Sequence, residues 1–401
     1  MRYARKIEVI GAVVCAGIAI LAVVLILTVP YFIAVGRSPT GALYDNSNGY
    51  VYVPNQGSDT VSVIHGTTVV GTVNVGAEPV SALFDPKNDY VYVTNVGSGN
   101  MSVMNGTTII GAVNVGSDPQ GAACDNENGF VYVPDAASHN VTVINGTTVV
   151  ASVDIGAGSE GAVYDSENGF VYVLEPGRSN VTVIDGTTPV ATVQVGSSPI
   201  SETYDSANGY VYVPNQLSSN VSVISGTVVI GTVQVGRDPS LSTYDSRNGD
   251  VYVLGYANVS VINNTNLVGS VSLAGISSNT IPQSSVYDSG NGYVYAAIPF
   301  ANAVAVISGT TLVGSVIIGL TQNDPSWLAY DSENGYVYVV NSYSDSVIVI
   351  AGTSVMALST FLGLPAVEAY TLIGGLAAAV AVAATVAIVW GDRRGRTSLE
   401  W

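Results

Sequence analysis

The segment Tyr44-Asp45-Asn46-Ser47-Asn48-Gly49-Tyr50-Val51-Tyr52-Val53 is the unit from which most of the chain is built. It recurs with its first residue at Tyr44, Phe84, Cys124, Tyr164, Tyr204, Tyr244, Tyr287 and Tyr330, a period of 40 residues that lengthens to 43 over the last two steps. A repeat of that length marks a solenoid, a propeller or an array, in which each copy buries its apolar surface only against the next. Within the unit, Asp accepts from nearby backbone amides and Asn-Gly supplies positive φ, so Asp-x-x-Asn-Gly predicts a tight hairpin. The Tyr-Val-Tyr-Val run alternates with a period of two, which predicts a strand with tyrosine on one face and valine on the other. Both faces are then apolar, as expected of a sheet stacked between two others.

Extended outward, each copy predicts four short strands, which in the second copy span 81–84, 90–94, 101–104 and 109–115. The predicted fold class is all-β: a β-propeller of four-stranded blades, with eight repeats and therefore eight blades, or seven if one copy stands outside the ring. A parallel β-helix fits less well, because its coils are shorter and need no antiparallel hairpins. The eighth copy lacks a well-patterned fourth strand near 355–359, whereas 31–35 followed by Gly36-Arg37-Ser38-Pro39 matches the end of a fourth strand and its turn. The ring is expected to close with that N-terminal segment.

Val91-Tyr92-Val93-Thr94-Asn95 resembles the signature of YVTN-type β-propeller repeats, and Val75-Gly76-Ala77-Glu78-Pro79 resembles their blade-joining turn. The resemblance spans 39–360 and implies a propeller of the kind found in archaeal and bacterial surface-layer-type proteins, where seven blades are common. It implies no particular activity.

Two apolar stretches flank the repeats. Residues 9–29 carry no charge and follow Arg2, Arg5 and Lys6; residues 370–390 are rich in Ala, Gly and Val and precede Arg393, Arg394 and Arg396. Each is long enough to cross a bilayer, and the basic flanks place both ends inside. The expected organisation is an N-terminal anchor or signal segment over 1–36, the propeller over 37–360, and a C-terminal anchor with a basic cytoplasmic tail over 361–401. The tail resembles the anchors of archaeal surface proteins. The propeller would lie outside the cell, with both termini cytoplasmic if the N-terminal segment is retained; cleavage near Ala34-Val35-Gly36 is the alternative reading.

The chain carries a net charge of −18, and the propeller region holds 25 acidic residues against five basic ones. That balance repels phosphate backbones and excludes nucleic acid as a partner. Cys15 and Cys124 stand too far apart in the pattern to pair, so there is no disulfide framework.

In a propeller the first strand of each blade lines the central tunnel. The positions expected there are Gly41, Ser81, Gly121, Gly161, Ser201, Leu241, Ser284 and Trp327, and beside them Ala42, Ala82, Ala122, Ala162, Glu202, Ser242, Ser285 and Leu328. Only Glu202 is a carboxylate, so a calcium or zinc site in the tunnel lacks donors, and no cofactor is expected. The turn aspartates are read as hairpin residues rather than metal ligands, and His65 and His139 as isolated surface residues.

The copies disagree most in the loops between second and third strands and between blades, where a rigid scaffold builds specificity. Asp135, His139, Glu175, Arg178 and Arg237 are the candidates for a ligand face on that basis. Eight Asn-x-Ser/Thr sequons, at Asn100, Asn105, Asn140, Asn145, Asn180, Asn220, Asn258 and Asn263, are candidates for glycosylation. The function expected is that of a membrane-anchored cell-surface module for binding, adhesion or envelope structure, with glycans or other surface proteins as partners and no catalysis. The alternative is an extracytoplasmic propeller enzyme, lactonase-like or quinone-dependent dehydrogenase-like.

Overall fold

The structure, a computed structural model, describes residues 32–156, 158–319 and 324–355. These form eight antiparallel sheets, each a meander in which successive strands are neighbours. In the second blade the strands are Pro79–Asp85, Tyr90–Asn95, Asn100–Asn105 and Thr108–Asn114. Each first strand lies against the first strand of the next blade, and Leu43–Asp45 of blade 1 lies against Pro325–Asp331 of blade 8. The molecule is therefore an eight-bladed β-propeller.

The repeated turn forms for the reason its residues suggest. In blade 1 the Gly49 amide donates to the Asp45 carbonyl at 2.9 Å, Ser47 N–H donates to Asp45 Oδ1 at 2.9 Å, and Tyr50 N–H donates to Asn48 Oδ1 at 2.9 Å. Gly49 sits at φ +73°; blade 2 places Asp89 there at φ +58°, where glycine would be unstrained.

Packing between blades follows from the alternation. The second tyrosine of every Tyr-Val-Tyr type strand (Tyr52, Tyr92, Tyr132, Tyr172, Tyr212, Tyr252, Tyr295 and Tyr338) is fully buried. Tyr92 packs with Val131 and Val133 of the following blade, Tyr132 with Val171 and Val173, and Tyr172 with Val211 and Val213. The tyrosine face of one blade thus meets the valine face of the next, and each ring buries on the order of 150 Å² or more.

Closure uses both ends of the described chain. Phe32–Ala34 pairs antiparallel with Ser346–Ala351, matching Phe32 to Ile348 and Ala34 to Ser346, while Ser354–Val355 pairs with Ile350 and Ala351 at the other end of the same strand. The N-terminal segment supplies the fourth strand of blade 8, and the blade count is eight. Across this seam Tyr338 O–H donates to the Gly66 carbonyl at 2.8 Å and Ser342 Oγ to the Pro39 carbonyl at 2.7 Å.

The outer strand of each of the first seven blades contains a β-bulge at one repeated place. In blade 1, Val63 faces Gly71 and Ile64 faces Val69, leaving Val70 as the extra residue. Ile110, Val150, Val190, Ile230, Val268 and Val313 take the same place in blades 2 to 7.

One expectation needs correction. Among the described residues the fold is an all-β propeller and no helix is long and apolar enough to cross a membrane, against the expectation of two flanking transmembrane helices. The stretches 9–29 and 370–390, on which that reading rested, lie outside the described residues.

Candidate binding face

Second strands end at Asn55, Asn95, Asp135, Glu175, Asn215, Gly255, Ile298 and Asn341. The alternation that turns Val131 and Val133 inward also turns Asp135 inward, and likewise Glu175 after Val171 and Val173. Both carboxylates are buried. Where the residue is Asn, as in blade 2, Asn95 Nδ2 donates to Ser102 Oγ at 3.0 Å and to Asn100 Oδ1 at 2.8 Å. A carboxylate cannot donate, so the bonds reverse: Thr142 Oγ1 donates to Asp135 Oδ2 at 2.6 Å, Asn140 Nδ2 donates to it at 3.1 Å, and Thr182 Oγ1 donates to Glu175. Burial lifts the Asp135 carboxyl to about 6, against the lowering effect of these donors. A Cβ on Gly116 would stand 2.5 Å from the Asp135 Cβ, so the blade-joining turn packs directly on this group. Asp135 and Glu175 therefore brace the second-to-third-strand loop from inside and are not presented on the face.

The other three candidates are presented, in separate blades. His139 is exposed at φ +61°, with Nδ1 3.0 Å from the Ala136 carbonyl. Arg178 is exposed at the end of the short 3-10 turn Pro176–Arg178. The Arg237 guanidinium lies 4.0 Å from the centre of the Tyr256 ring and pairs with Asp238 at 3.2 Å, a cation–π contact that fixes the tyrosine in place.

A second feature of this face escaped the sequence reading. One residue at the tip of each second-to-third-strand loop occupies an equivalent place. It is Gly57, Gly97, Ala137 and Gly177 in blades 1 to 4, but Leu217, Tyr256, Phe300 and Tyr343 in blades 5 to 8. Leu217, Phe300 and Tyr343 are 75%, 83% and 74% exposed. At this one place half of the face carries Gly or Ala and the other half large side chains, exposed in Leu217, Phe300 and Tyr343 and half-buried in Tyr256, on loops held by a rigid sheet. The signal lay in aligning loop tips by position, whereas charge alone had drawn attention to Asp135 and Glu175.

The tunnel side is mostly closed to chemistry by its own bonding. Ser201 Oγ donates to the Ser240 carbonyl at 2.8 Å, Thr40 Oγ1 to the Pro79 carbonyl at 3.2 Å, and the hydroxyls of Thr203 and Ser242 lie 2.7 Å apart, so these groups tie neighbouring first strands together. Glu202 differs: its Oε2 is sealed from water without a hydrogen-bond partner, and burial, followed by the charge of Glu160, lifts its carboxyl to about 8. Among the described residues no three or more His, Cys, Asp or Glu side chains converge in a way that could hold a metal ion.

The turn aspartates act as joints. Asp45 Oδ1 accepts from Ser47 Oγ at 2.7 Å and Oδ2 accepts from Asn48 Nδ2 at 2.7 Å. Further round, each faces the first residue of the next copy: burial and then Asp331 beside it lift the Tyr44 phenol to about 12, and burial with Asp85 pushes the Cys124 thiol up.

The sequons divide by exposure. Asn105 and Asn145 are exposed at the third hairpin; Asn140 is buried against Asp135; Asn100, Asn180, Asn220, Asn258 and Asn263 are half-buried. Of these, Asn263 donates to Asp250 Oδ1 at 2.9 Å.

No family model matches the chain, and no curated protein matches it. Solved structures do. The C-terminal WD40 domain of Sif2 superposes with a TM-score of 0.67 at 10% identity, covering 81% of this chain and 99% of that one. The dihydro-heme d1 dehydrogenase NirN gives 0.63 at 12% identity, covering 77% and 72%. The hydrazine synthase of Kuenenia stuttgartiensis gives 0.55 at 16%, covering 68% and 95%. Enzymes and a WD40 domain alike share the fold, so the likeness speaks for the propeller alone.

Proposed function

We propose that this propeller is a non-catalytic binding module that recognises a protein partner through the face carrying Leu217, Tyr256, Phe300 and Tyr343. The observation behind this reading is the arc itself. Large apolar side chains exposed together mark an interaction site, and aromatic residues with Arg dominate the energetic centre of protein interfaces. Here they stand on loops of a scaffold whose other half has glycine or alanine at the same place. The stacked Arg237–Tyr256 pair presents an ordered planar surface that loses little freedom on binding. The resemblance to YVTN-type repeats of surface-layer-type proteins agrees with an extracellular binding or adhesion role.

The test is a photo-crosslinking group placed at Phe300 in the producing cell, with the same group at Ser166, on the opposite face, as control. A discrete protein adduct from position 300 that disappears on Tyr343→Ala and Leu217→Ala supports the reading. Equal adducts from both faces, or none from position 300, would contradict it.

A second reading, a tunnel enzyme, is favoured by one group only. Glu202, held protonated near neutral pH, has the raised pKa of a general acid. Among the described residues no metal-ligand set converges there, and Ser201 Oγ beside it is engaged with the Ser240 carbonyl, so the binding reading stands ahead of it.

A further inference from the structure

Five of the eight sequons open a third strand, and there the fold already uses the hydroxyl. Ser102, Thr142, Thr182, Ser222 and Ser260 are all buried. Ser102 Oγ accepts from Asn95 Nδ2 at 3.0 Å and from the Gly76 amide at 3.1 Å, and Ser222 Oγ from Asn215 Nδ2 at 3.0 Å and the Gly196 amide at 3.3 Å. Thr142 donates to Asp135, Thr182 donates to Glu175, and Ser260 accepts from the Gly236 amide. These bonds brace the loops and account for the hydroxyls without any modification.

The other three sequons open on the last residue of a third strand, Asn105, Asn145 and Asn263. Asn263 is committed, since its Nδ2 donates to Asp250 Oδ1 at 2.9 Å and to the Gly249 carbonyl at 3.2 Å. Asn105 and Asn145 are exposed, and their side chains form no hydrogen bond to any described residue. The turn does not require Asn, because His65, Asp185, Ser225, Ser308 and Ala351 hold the same place in other blades. It does require the Thr two places on, which all eight blades keep. The methyl of that Thr packs on the outer strand of the blade before: a Cβ on Gly71 would stand 2.7 Å from Thr107 Cγ2, and one on Gly111 3.2 Å from Thr147 Cγ2. Thr107 and Thr147 are exposed, and their hydroxyls form no hydrogen bond to any described residue. Gly106 and Gly146 between them sit at φ +55° and +60°, and around Gly146 nothing lies within 4 Å of the place of a side chain. A free amide, a free hydroxyl two residues on and open space thus coincide at two of the eight sequons.

We infer that Asn105 and Asn145 are the N-glycosylation sites of this chain and that the other six sequons stay bare. Transfer joins Asn Nδ2 to the anomeric carbon of a polyprenyl-phosphate-linked sugar. The bond from that carbon to the phosphate oxygen breaks, the phosphate leaves with the electron pair, and the amide proton passes to a base on the transferase of the producing cell. The inference rests on the extracellular side of the proposed role, because sequons are read in secreted chains, and it does not require the loop face to bind anything. A glycan also answers a feature of the fold. Ile109, Ile110, Val149 and Val150 beside the two hairpins are 41% to 46% exposed. Their strands, Thr108–Asn114 and Thr148–Asp154, carry Asp154 as the one charge, where edge strands are usually guarded by Lys or Pro. A bulky, solubilising sugar chain shields such an edge.

Glycopeptide mass spectrometry of the full chain purified from the producing cell reads each sequon separately. The expected result is a glycan on Asn105 and Asn145 and unmodified Asn at the other six. Asn105→His, matching blade 1, and Thr107→Val, which keeps a methyl against Gly71, are each expected to abolish the glycan at 105 and leave the one at 145. Unchanged hydrogen exchange in the outer strands shows that both variants are folded. Thr107→Val also separates sugar transfer from deamidation at the Asn-Gly bond, which needs no hydroxyl and persists. Absence of glycan from both positions, a glycan on any of the other six sequons, or sugar that survives Asn105→His on the same peptide would overturn the inference. The crosslink expected at position 300 is indifferent to all of these outcomes, so the two readings fail separately.

Discussion

Glu202 and Asp135 are carboxyl groups that folding makes harder to ionise. The unfolded chain releases their protons near the ordinary carboxylate range, and the folded chain only near 8 and 6. Their contribution to stability is therefore fully present below the unfolded values, about 4.5 and 3.8, and is lost as pH rises through the folded ones. The protein is expected to be more stable toward denaturant at pH 4 than at pH 8, where the 29 acidic residues also repel one another. Glu202→Gln should raise stability at pH 8 by on the order of 1 kcal/mol or more and flatten the upper part of the profile. Asp135→Asn should flatten the stretch between about pH 4 and pH 6. Denaturant titrations at four pH values check this; a profile unchanged by both substitutions would refute the assignment. Asp135 was read from its charge as a ligand-face residue, although alternation carried two residues beyond Val133 points it into the interior, where it lies. The acidity of Glu202 was not legible, because it depends on Glu160 of the neighbouring blade and on crowding by Gly161, whose Cβ would stand 2.7 Å from Glu202 Oε1.

Among the elements, the second strand carries the joint between blades, and its tyrosines are not equivalent. Tyr338 O–H reaches the Gly66 carbonyl across the closing seam, whereas the hydroxyl of Tyr212 is buried without a partner. Tyr338→Phe is expected to cost about 1 kcal/mol and Tyr212→Phe to be neutral or slightly stabilising, as measured by equilibrium unfolding. The strand Phe32–Ala34 is the other critical element, since Ile33 is buried and pairs with Val347. Ile33→Asp places a charge there and should cost about 3 kcal/mol or more, with early unfolding of blade 8 seen by hydrogen exchange. The 40-residue period carries the strand pattern through the first six blades, and the bounds read for the second blade hold to within about two residues at each end. Bulges were not legible, because a one-residue skip in register leaves no mark in a strand already alternating Thr, Val and Gly.

For the molecule as a whole, eight copies of one sentence dictate eight blades, and the missing fourth strand of the last copy pointed to closure by the N-terminal segment. Function is less legible, because repetition encodes the scaffold and only departures from it encode recognition. Those departures were sought among charged loop residues, yet two of the five turned inward, and the arc from Leu217 to Tyr343 emerges only when loop tips are compared at one structural position. A propeller can use two surfaces for recognition, the loop face and the tunnel. The most direct test is the affinity of the protein captured at position 300 for three chains: unaltered, Phe300→Ala/Tyr343→Ala, and Glu202→Gln. Recognition by the loop face requires a loss of about 100-fold or more for the double variant, as for removal of two interface anchors, and no change for Glu202→Gln. Full affinity in the double variant together with loss in Glu202→Gln would move recognition to the tunnel and contradict it.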